Sequence, residues 1–222
     1  MEITWFGHSC FRLTDRNVAV VVTDPFDKSV GFSIPRLNAD IVTISHDAPG
    51  HNNINVVRHA RAITGPGEYE MKGVFITGLR TVDKAVANKA LKNDDGSNTF
   101  VKNTVYVFGY DGLTVCHLGD LRAIPSQSEI EVIGTVGVLL VPVGGGGALN
   151  AAQAAEVISL IEPSIVIPMH YKMSQTSLKL DPLSKFLKEM GSGKVEPQDS
   201  LKIVKSSVPD ETQVVVLQPK GG

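Results

Sequence analysis

Cysteine, aromatic residues and net charge are all scarce in this chain of 222 residues. Its two cysteines, Cys10 and Cys116, lie far apart in apolar stretches, so we expect both to be buried and no disulfide framework to form. Lysine and arginine number 21 and aspartate and glutamate number 23, which leaves a formal charge of −2. A nearly neutral chain has little electrostatic attraction for polyanions, so we expect no nucleic-acid partner.

Long hydrophobic runs are also absent. The longest apolar run near the start, residues 18–22, is far too short to cross a bilayer. The first ten residues, MEITWFGHSC, lack the basic and apolar segments of a secretory signal. We therefore expect a soluble, cytoplasmic protein that does not bind membranes.

The remaining composition is that of an ordinary globular domain, with 42% hydrophobic and 20% charged residues. The length suits one large domain and no Pro- or Ser-rich linker divides the chain, so residues 1–222 are expected to form a single domain. The one long polar stretch, residues 83–103, is expected to be a surface loop or a partly ordered insertion.

Strand patterns dominate the first two-thirds of the chain, and helices are predicted mainly later. The strand candidates are residues 2–6, 10–14, 18–23, 40–45, 73–79, 104–108, 113–117, 136–141, 165–168 and 213–217. Asn150 and Gln153 form a capping-box pattern before a helix with apolar positions at 154, 157, 158 and 161. Shorter helices are expected at residues 128–133 and after an N-cap at Asp181, with Pro182 in the first turn. This order predicts an α/β fold with two packed sheets and helices outside them.

Titratable side chains directly follow three of the predicted strands. His46 follows the apolar run 41–45, His170 follows 165–169, and Asp120 follows 115–118 after one glycine. Loops at strand ends are where a rigid scaffold presents reactive groups. Because imidazole and carboxylate groups suit Zn²⁺, Mn²⁺ and Fe, the pattern indicates a convergent metal site.

Each of these residues also has a structural explanation, because single histidines and aspartates are common in turns. His8 lies in a tight turn and could line a site from the side. His59 is typical of a helix surface, and His117 of the core or of a position behind a ligand. The run 144–147 consists of glycines but lacks the ending of a phosphate-binding loop, which favours close backbone approach or a flexible turn. The serines at 9, 45 and 174 lie in no nucleophile elbow, so serine hydrolysis has little support.

Seven short segments together carry a resemblance to a known family. They are residues 5–11 (WFGHSCF), 23–26 (TDPF), 45–47 with 51–52 (SHD, HN), 65–70 (GPGEYE), 117–121 (HLGDL), 141–145 (VPVGG) and 167–171 (IPMHY). In this order the chain resembles the metallo-β-lactamase-fold metal-dependent hydrolases, in the small branch that includes sugar-lactone hydrolases. The resemblance implies a four-layer αββα sandwich with a metal site at one edge of the two sheets. It also implies attack on an ester, lactone, amide or phosphoester by water that the metal activates.

The chain departs from the family's ligand motif, His-x-His-x-Asp-His. The corresponding run is HDAPGH at residues 46–51, so Ala48 replaces the second histidine and Gly50 replaces the aspartate. A further family histidine aligns with Val82. None of these three residues has a side chain that can bind a metal.

By this resemblance, one metal position keeps only His46, whereas the other keeps His51, His170 and the shared Asp120. We therefore expect one divalent metal on His51, Asp120 and His170, with His46 as a fourth ligand or a base. Zn²⁺ is favoured, with Mn²⁺ or Fe as alternatives. Asp120 would also orient the nucleophile, and His46 or His8 would transfer protons. Asp47 could replace the missing carboxylate only if its loop turned inward.

Two functions fit these observations. The first is a metal-dependent hydrolase that acts on a small ester, lactone or phosphoester with one metal ion. The alternative is a catalytically inactive relative that binds a small molecule or a partner in the same cleft, because several ligands are missing. A nuclease is disfavoured because the chain has no dense basic run. We expect a small-molecule substrate, and the sequence leaves a homo-oligomer open.

Overall fold

The structure, a computed structural model, describes residues 1–82 and 102–221. The strands in this part of the chain are β1 (Glu2–Trp5), β2 (Phe11–Thr14), β3 (Val21–Thr23), β4 (Leu37–Asn38), β5 (Ile41–Thr43), β6 (Val57–Arg58), β7 (Arg61–Ile63), β8 (Gly67–Met71), β9 (Val74–Val82), β10 (Lys102–Tyr110), β11 (Leu113–His117), β12 (Val138–Pro142), β13 (Ile165–Met169), β14 (Leu201–Lys202) and β15 (Gln213–Val214). The α-helices are α1 (Gln127–Ile133), α2 (Ala151–Ile161) and α3 (Leu183–Glu189).

The strands form two large sheets and one small one. The six-stranded sheet has the order β14-β1-β2-β3-β5-β7, and its β3, β5 and β7 run parallel. The seven-stranded sheet has the order β15-β13-β12-β11-β10-β9-β8, and its strands from β15 to β11 run parallel. Strands β4 and β6 pair separately. Ligand sites in such sheets form beyond the carboxyl ends of parallel strands, and β5, β11 and β13 each lead into a candidate site residue.

Alternation along the strands divides the buried residues between two faces. Val21 and Ile41 belong to the large core cluster that contains residues of both sheets, whereas their neighbours Val22 and Val42 belong to a second cluster. That second cluster joins the other face of the six-stranded sheet to residues of the loops and short elements outside it. Because successive side chains of a strand point to opposite faces, the six-stranded sheet is buried on both sides.

Helix α2 confirms its predicted cap and apolar face. The Asn150 side chain accepts a hydrogen bond from the Gln153 backbone at 3.0 Å, and the Gln153 side chain accepts one from the Asn150 backbone at 3.1 Å. All four predicted apolar positions of this helix are buried. In α3 the N-cap is Pro182 rather than the predicted Asp181, because Pro182 keeps an extended backbone and the helix begins one residue later.

The α/β class and the two central sheets are confirmed, with one difference in the outer layers. Within residues 1–82 and 102–221, α-helices occur only after β11. Short 3₁₀ helices at Lys28–Val30 and Ile54–Val56 and the β4–β6 pair lie outside the six-stranded sheet instead. Neither α1, α2 nor α3 has the length and apolar character needed to cross a membrane. Cys10 and Cys116 are both buried without a disulfide, as expected.

Two local predictions need correction. His59, predicted on a helix surface, is exposed in a turn between β6 and β7, because residues 57–58 pair with β4 instead of coiling into a helix. Of the predicted polar loop at 83–103, residues 83–101 lie outside the described part of the chain. Its last two residues begin β10, where Asn103 is buried.

The burial pattern predicts sharply different effects for two phenylalanines on paired strands. Phe108 of β10 is fully buried, whereas 61% of Phe75 on β9 is exposed. We expect Phe108→Ala to lower the free energy of unfolding by about 3–5 kcal/mol, because it removes a large buried side chain. Phe75→Ala should change it by only about 0.5 kcal/mol. Urea unfolding followed by circular dichroism measures both, and equal losses would contradict the assigned packing.

Candidate metal centre

Three histidines from distant parts of the chain meet at one end of the sheets. His8 lies in the turn between β1 and β2, His51 lies in the loop after β5, and His170 directly follows β13. Each residue contributes one ring nitrogen, and these three nitrogens all lie within 4.8 Å of one another. All three side chains are buried. The Nε2 atoms of His8 and His51 are 3.2 Å apart.

His8 and His170 both have a left-handed backbone, with φ of 50° and 54°. Histidine adopts this conformation only at a cost, and such strain in folded proteins concentrates at functional sites. The backbone amide of His170 donates a hydrogen bond to the His8 carbonyl at 3.1 Å, which holds the two turns together. Behind His170, the absence of a side chain at Gly144 is required, because a Cβ there would lie 2.3 Å from the His170 carbonyl oxygen. Here the glycine run provides the close backbone approach that the sequence favoured.

A buried carboxylate, that of Asp24, orients His51. Asp24 follows β3, is fully buried, and accepts hydrogen bonds from the Ser45 amide at 2.7 Å and the Ser45 hydroxyl at 2.5 Å. It also accepts one from His51 Nδ1 at 2.8 Å. Burial alone would raise the pKa of Asp24, but these hydrogen bonds and the nearby imidazoles outweigh it and keep the pKa below its ordinary value. His51 therefore carries its proton on Nδ1 and presents the Nε2 lone pair to the other two histidines.

Asp120 borders the three histidines. One carboxylate oxygen, Oδ1, is 3.6 Å from His170 Nε2, while Oδ2 is 3.8 Å from His46 Nε2 and 2.8 Å from Arg122 Nη2. The Asp120 amide donates to the Asn103 side chain at 2.9 Å, and Asn103 in turn donates to the Leu118 carbonyl at 3.0 Å. Asn103 thus fixes the turn that carries Asp120.

His117 supports the same turn from the core. Its Nε2 donates to the Ser9 carbonyl at 2.9 Å, and its Nδ1 accepts a hydrogen bond from the Gly119 amide at 3.2 Å. Of the two roles left open for His117, the structure therefore favours a position behind the site residues. Asp24, Asn103 and Ser45 were all missed as site residues in the sequence, although the TDPF and SHD segments of the family resemblance contain Asp24 and Ser45.

The structure thus brings together two of the four expected ligands, His51 and His170, and adds His8, which was expected only as a proton donor or acceptor. The other two expected ligands, His46 and Asp120, lie next to this group: the His46 and His51 ring centres are 4.2 Å apart, and Asp120 Oδ1 is 3.6 Å from His170 Nε2. The condition under which Asp47 could serve as a ligand is not met, because Asp47 is exposed and accepts a hydrogen bond from Asn52.

Gly50 explains why His8 can occupy this position. A Cβ at residue 50 would lie 3.2 Å from His8 Nε2. A carboxylate at residue 50, as in the family motif, would therefore compete with the His8 ring for the same space. The loss of that side chain and the inward position of His8 are structurally linked.

Comparison with known proteins identifies the fold family. A family model described as the beta-lactamase superfamily domain matches residues 2–170. A solved structure from Thermotoga maritima, described as a candidate Zn-dependent hydrolase of the metallo-beta-lactamase superfamily, is 38% identical, with a TM-score of 0.76 and coverage of 97% of each chain. The chain belongs to the metallo-β-lactamase superfamily.

Curated relatives within this superfamily carry less sequence identity. A UPF0173 metal-dependent hydrolase of Methanosarcina mazei is 24% identical over 241 residues, which cover 99% of this chain and 96% of that protein. A UPF0173 protein of Pyrococcus furiosus is 29% identical over 179 residues, which cover 77% of this chain and 83% of that protein. The family expected from the sequence segments is therefore confirmed.

The three imidazoles have donor atoms that suit a zinc ion. Two imidazole nitrogens bound to one tetrahedral Zn²⁺ at about 2.05 Å would be about 3.3 Å apart, close to the 3.2 Å between His8 and His51. Burial lowers the pKa of His8 well below its ordinary value and that of His170 to about 4, and the neighbouring imidazoles add to both shifts. Both rings are therefore neutral near pH 7, with a lone pair available to a cation.

The lowered pKa of His170 makes the metal-free protein sensitive to acid. An unfolded histidine takes up its proton near pH 6.5, whereas folded His170 does so only near pH 4, so stability is lost as pH falls between these values. We expect unfolding by urea, with a chelator present, to reveal a loss of roughly 3 kcal/mol from this residue. His170→Asn, which tolerates the left-handed backbone, should flatten the pH dependence.

His59→Asn is the matched control, because His59 also has a left-handed backbone but is exposed. Its pH dependence should parallel that of the unmodified protein. Parallel curves for all three proteins would contradict the assigned neutral state of His170.

Proposed function

We propose that this protein is a metal-dependent hydrolase that holds one divalent ion on His8, His51 and His170 and acts on a small ester, lactone or phosphoester. The observation that carries the proposal is the meeting of three buried imidazoles from distant segments. Three protein ligands with a position left open are typical of catalytic zinc sites, and nitrogen donors favour Zn²⁺ over Mg²⁺ or Ca²⁺. The metal-dependent hydrolases among the relatives support the same activity.

A single ion is favoured by the residues around His46. Ala48 and Gly50 have no ligating side chain, and Asp47 is directed to the surface. A second ion beside His46 would therefore have few protein donors. The divalent ion at the histidine group would supply Lewis acidity and lower the pKa of a water molecule towards about 7.

The surrounding residues supply orientation and proton transfer. Asp24 fixes the tautomer of His51. The Ser45 hydroxyl donates its one proton to Asp24, so it must accept a hydrogen bond from His46 Nδ1, which is 3.1 Å away. His46 therefore presents an unprotonated Nε2 towards Asp120, which suits a general base. Burial lowers the pKa of His46, which keeps it unprotonated near pH 7. Asp120 can accept a hydrogen bond from water or substrate beside His170.

Metal analysis of the purified protein tests the ligand assignment. We expect about one equivalent of a divalent metal, with Zn²⁺ favoured, and a lower melting temperature after chelation because the metal binds only the folded state. His8→Asn, His51→Gln and His170→Asn should each lose most of the metal, whereas His59→Asn should retain it. Protein without metal after growth in zinc-supplemented medium would contradict the proposal.

Hydrolysis assays distinguish the enzyme from its inactive alternative. The inactive alternative is a relative that has kept the cleft but lost turnover, and its basis is the absence of metal-ligating side chains at Ala48 and Gly50. Chelator-sensitive hydrolysis on a panel of lactones, esters and phosphoesters is the expected result. A metal-loaded protein with no turnover on that panel, but with thermal stabilisation by a metabolite, would instead support the inactive alternative.

Asp24 offers a test that does not depend on activity. Asp24→Asn removes the negative charge behind His51, and we expect the metal affinity to fall about 10–100-fold, as for other hydrogen-bond partners of metal ligands. Chelator competition measures this affinity directly. Asp27→Asn is the matched control, because Asp27 caps a 3₁₀ helix at the surface and asparagine caps equally well. Similar affinities for both variants would refute the role of Asp24.

A further inference from the structure

Arg122 lies on the side of Asp120 that faces away from the three histidines. Its Nη2 donates to Asp120 Oδ2 at 2.8 Å, whereas Asp120 Oδ1 lies near His170. The same oxygen, Asp120 Oδ2, also lies 3.8 Å from His46 Nε2. A fixed cation therefore stands beside His46, on the side of the site that lacks ligating residues at positions 48 and 50.

The hydrogen bonding of this guanidinium is incomplete. Arginine has five N–H donors, but the bond to Asp120 is the only one that Arg122 makes to a described residue. Its Nε is buried without a partner, while 26% of the side chain remains exposed. Buried donors are almost always paired in native proteins, so an additional acceptor is expected here.

The neighbouring glycine loop lies close to the guanidinium. Gly147 has a φ of 113°, and a Cβ there would lie 3.5 Å from the Arg122 guanidinium atoms Cζ, Nη1 and Nη2. The loop therefore presents bare backbone to the charged group instead of a side chain. It is also tied to the Asp120 turn, because the Leu149 amide donates to the Leu121 carbonyl at 2.8 Å.

We infer that Arg122 binds a negatively charged group of the substrate, a carboxylate or a phosphate, next to the bond that is cleaved. This inference rests on the proposed hydrolase function and names the substrate class for it. Guanidinium groups suit both oxyanions because their N–H donors match a pair of acceptor oxygens. The summed positive charge of a divalent ion and Arg122 would also exceed the summed negative charge of Asp120 and Asp24, so the site would attract anions.

A pair of matched esters tests this specificity. The two aryl acetates differ only in a ring substituent, which is a carboxylate in one and a carboxamide in the other. For the Zn-loaded enzyme, Arg122→Gln should raise KM for the carboxylate ester about 10–100-fold, the loss typical of a charge-assisted hydrogen-bonded pair. KM for the carboxamide ester should change by less than about threefold. Arg122→Lys should raise KM for the carboxylate ester less than Arg122→Gln does, since lysine retains the charge.

Arg58→Gln is the control, because Arg58 is an exposed arginine on β6, which belongs to the separate β4–β6 pair. Its kinetics should match those of the unmodified enzyme on both esters. Equal losses on the two esters after Arg122→Gln, or loss of bound metal, would overturn the inference. Arg122 would then act only by balancing the charge of Asp120.

Binding of inorganic phosphate separates this inference from the hydrolase proposal. Calorimetric titration of phosphate into the Zn-loaded protein needs no turnover, so it remains informative even if neither ester is cleaved. We expect phosphate to bind the unmodified protein and Arg58→Gln alike, and Arg122→Gln about tenfold or more weakly. Unchanged phosphate affinity in Arg122→Gln, or no binding to the unmodified protein, would overturn the role of Arg122 even if hydrolysis is established.

Discussion

The carboxylate of Asp24 is buried from water at the end of β3, and a charge in that position is stable only when several donors surround it. Those donors are the amide and hydroxyl of Ser45 and the Nδ1 of His51. These hydrogen bonds connect the ends of the parallel strands β3 and β5 to the loop that carries His51. They also determine which nitrogen of His51 is unprotonated, and through Ser45 they do the same for His46. The chemistry available at the site therefore follows from the need to compensate one buried charge.

A second constraint is the crowding of His8, His51 and His170 into a small buried volume. Two of these residues have a left-handed backbone, which costs of order 1–3 kcal/mol at each position and must be offset by the rest of the fold. Burial also lowers the pKa of His8 and of His170, so these two rings are neutral near pH 7. A bound cation would give the three ring nitrogens that meet there a common partner. The two oxygens of the Asp120 carboxylate have different neighbours: Oδ1 lies near the His170 ring, whereas Oδ2 is bound by the positively charged Arg122.

Much of the fold could be predicted from local patterns. Strand β2 alternates, β12 and β13 are buried throughout, and α2 has a capping box with four buried apolar positions, so short-range physics suffices for these elements. Strands β7 and β8, which have mostly exposed residues, were not predicted. The site was predicted less completely. Asn103 was placed in a polar loop, yet it holds Asp120 through a hydrogen bond that spans 17 residues. His59 was placed on a helix, although pairing of β6 with β4 makes its segment extended. Both errors concern residues whose environment is created by distant segments.

The sequence by itself determined the α/β class, the superfamily and the set of titratable residues at strand ends, because hydrophobic periodicity and short ordered segments are local properties of the chain. It also showed that Ala48 and Gly50 cannot ligate a metal. Only the tertiary structure decided which histidines meet, since the position of His8 depends on the space left by Gly50, 42 residues away along the chain. The pairing of Arg122 with one oxygen of Asp120 was likewise decided by the fold, because neither side-chain direction nor burial can be read from residue spacing.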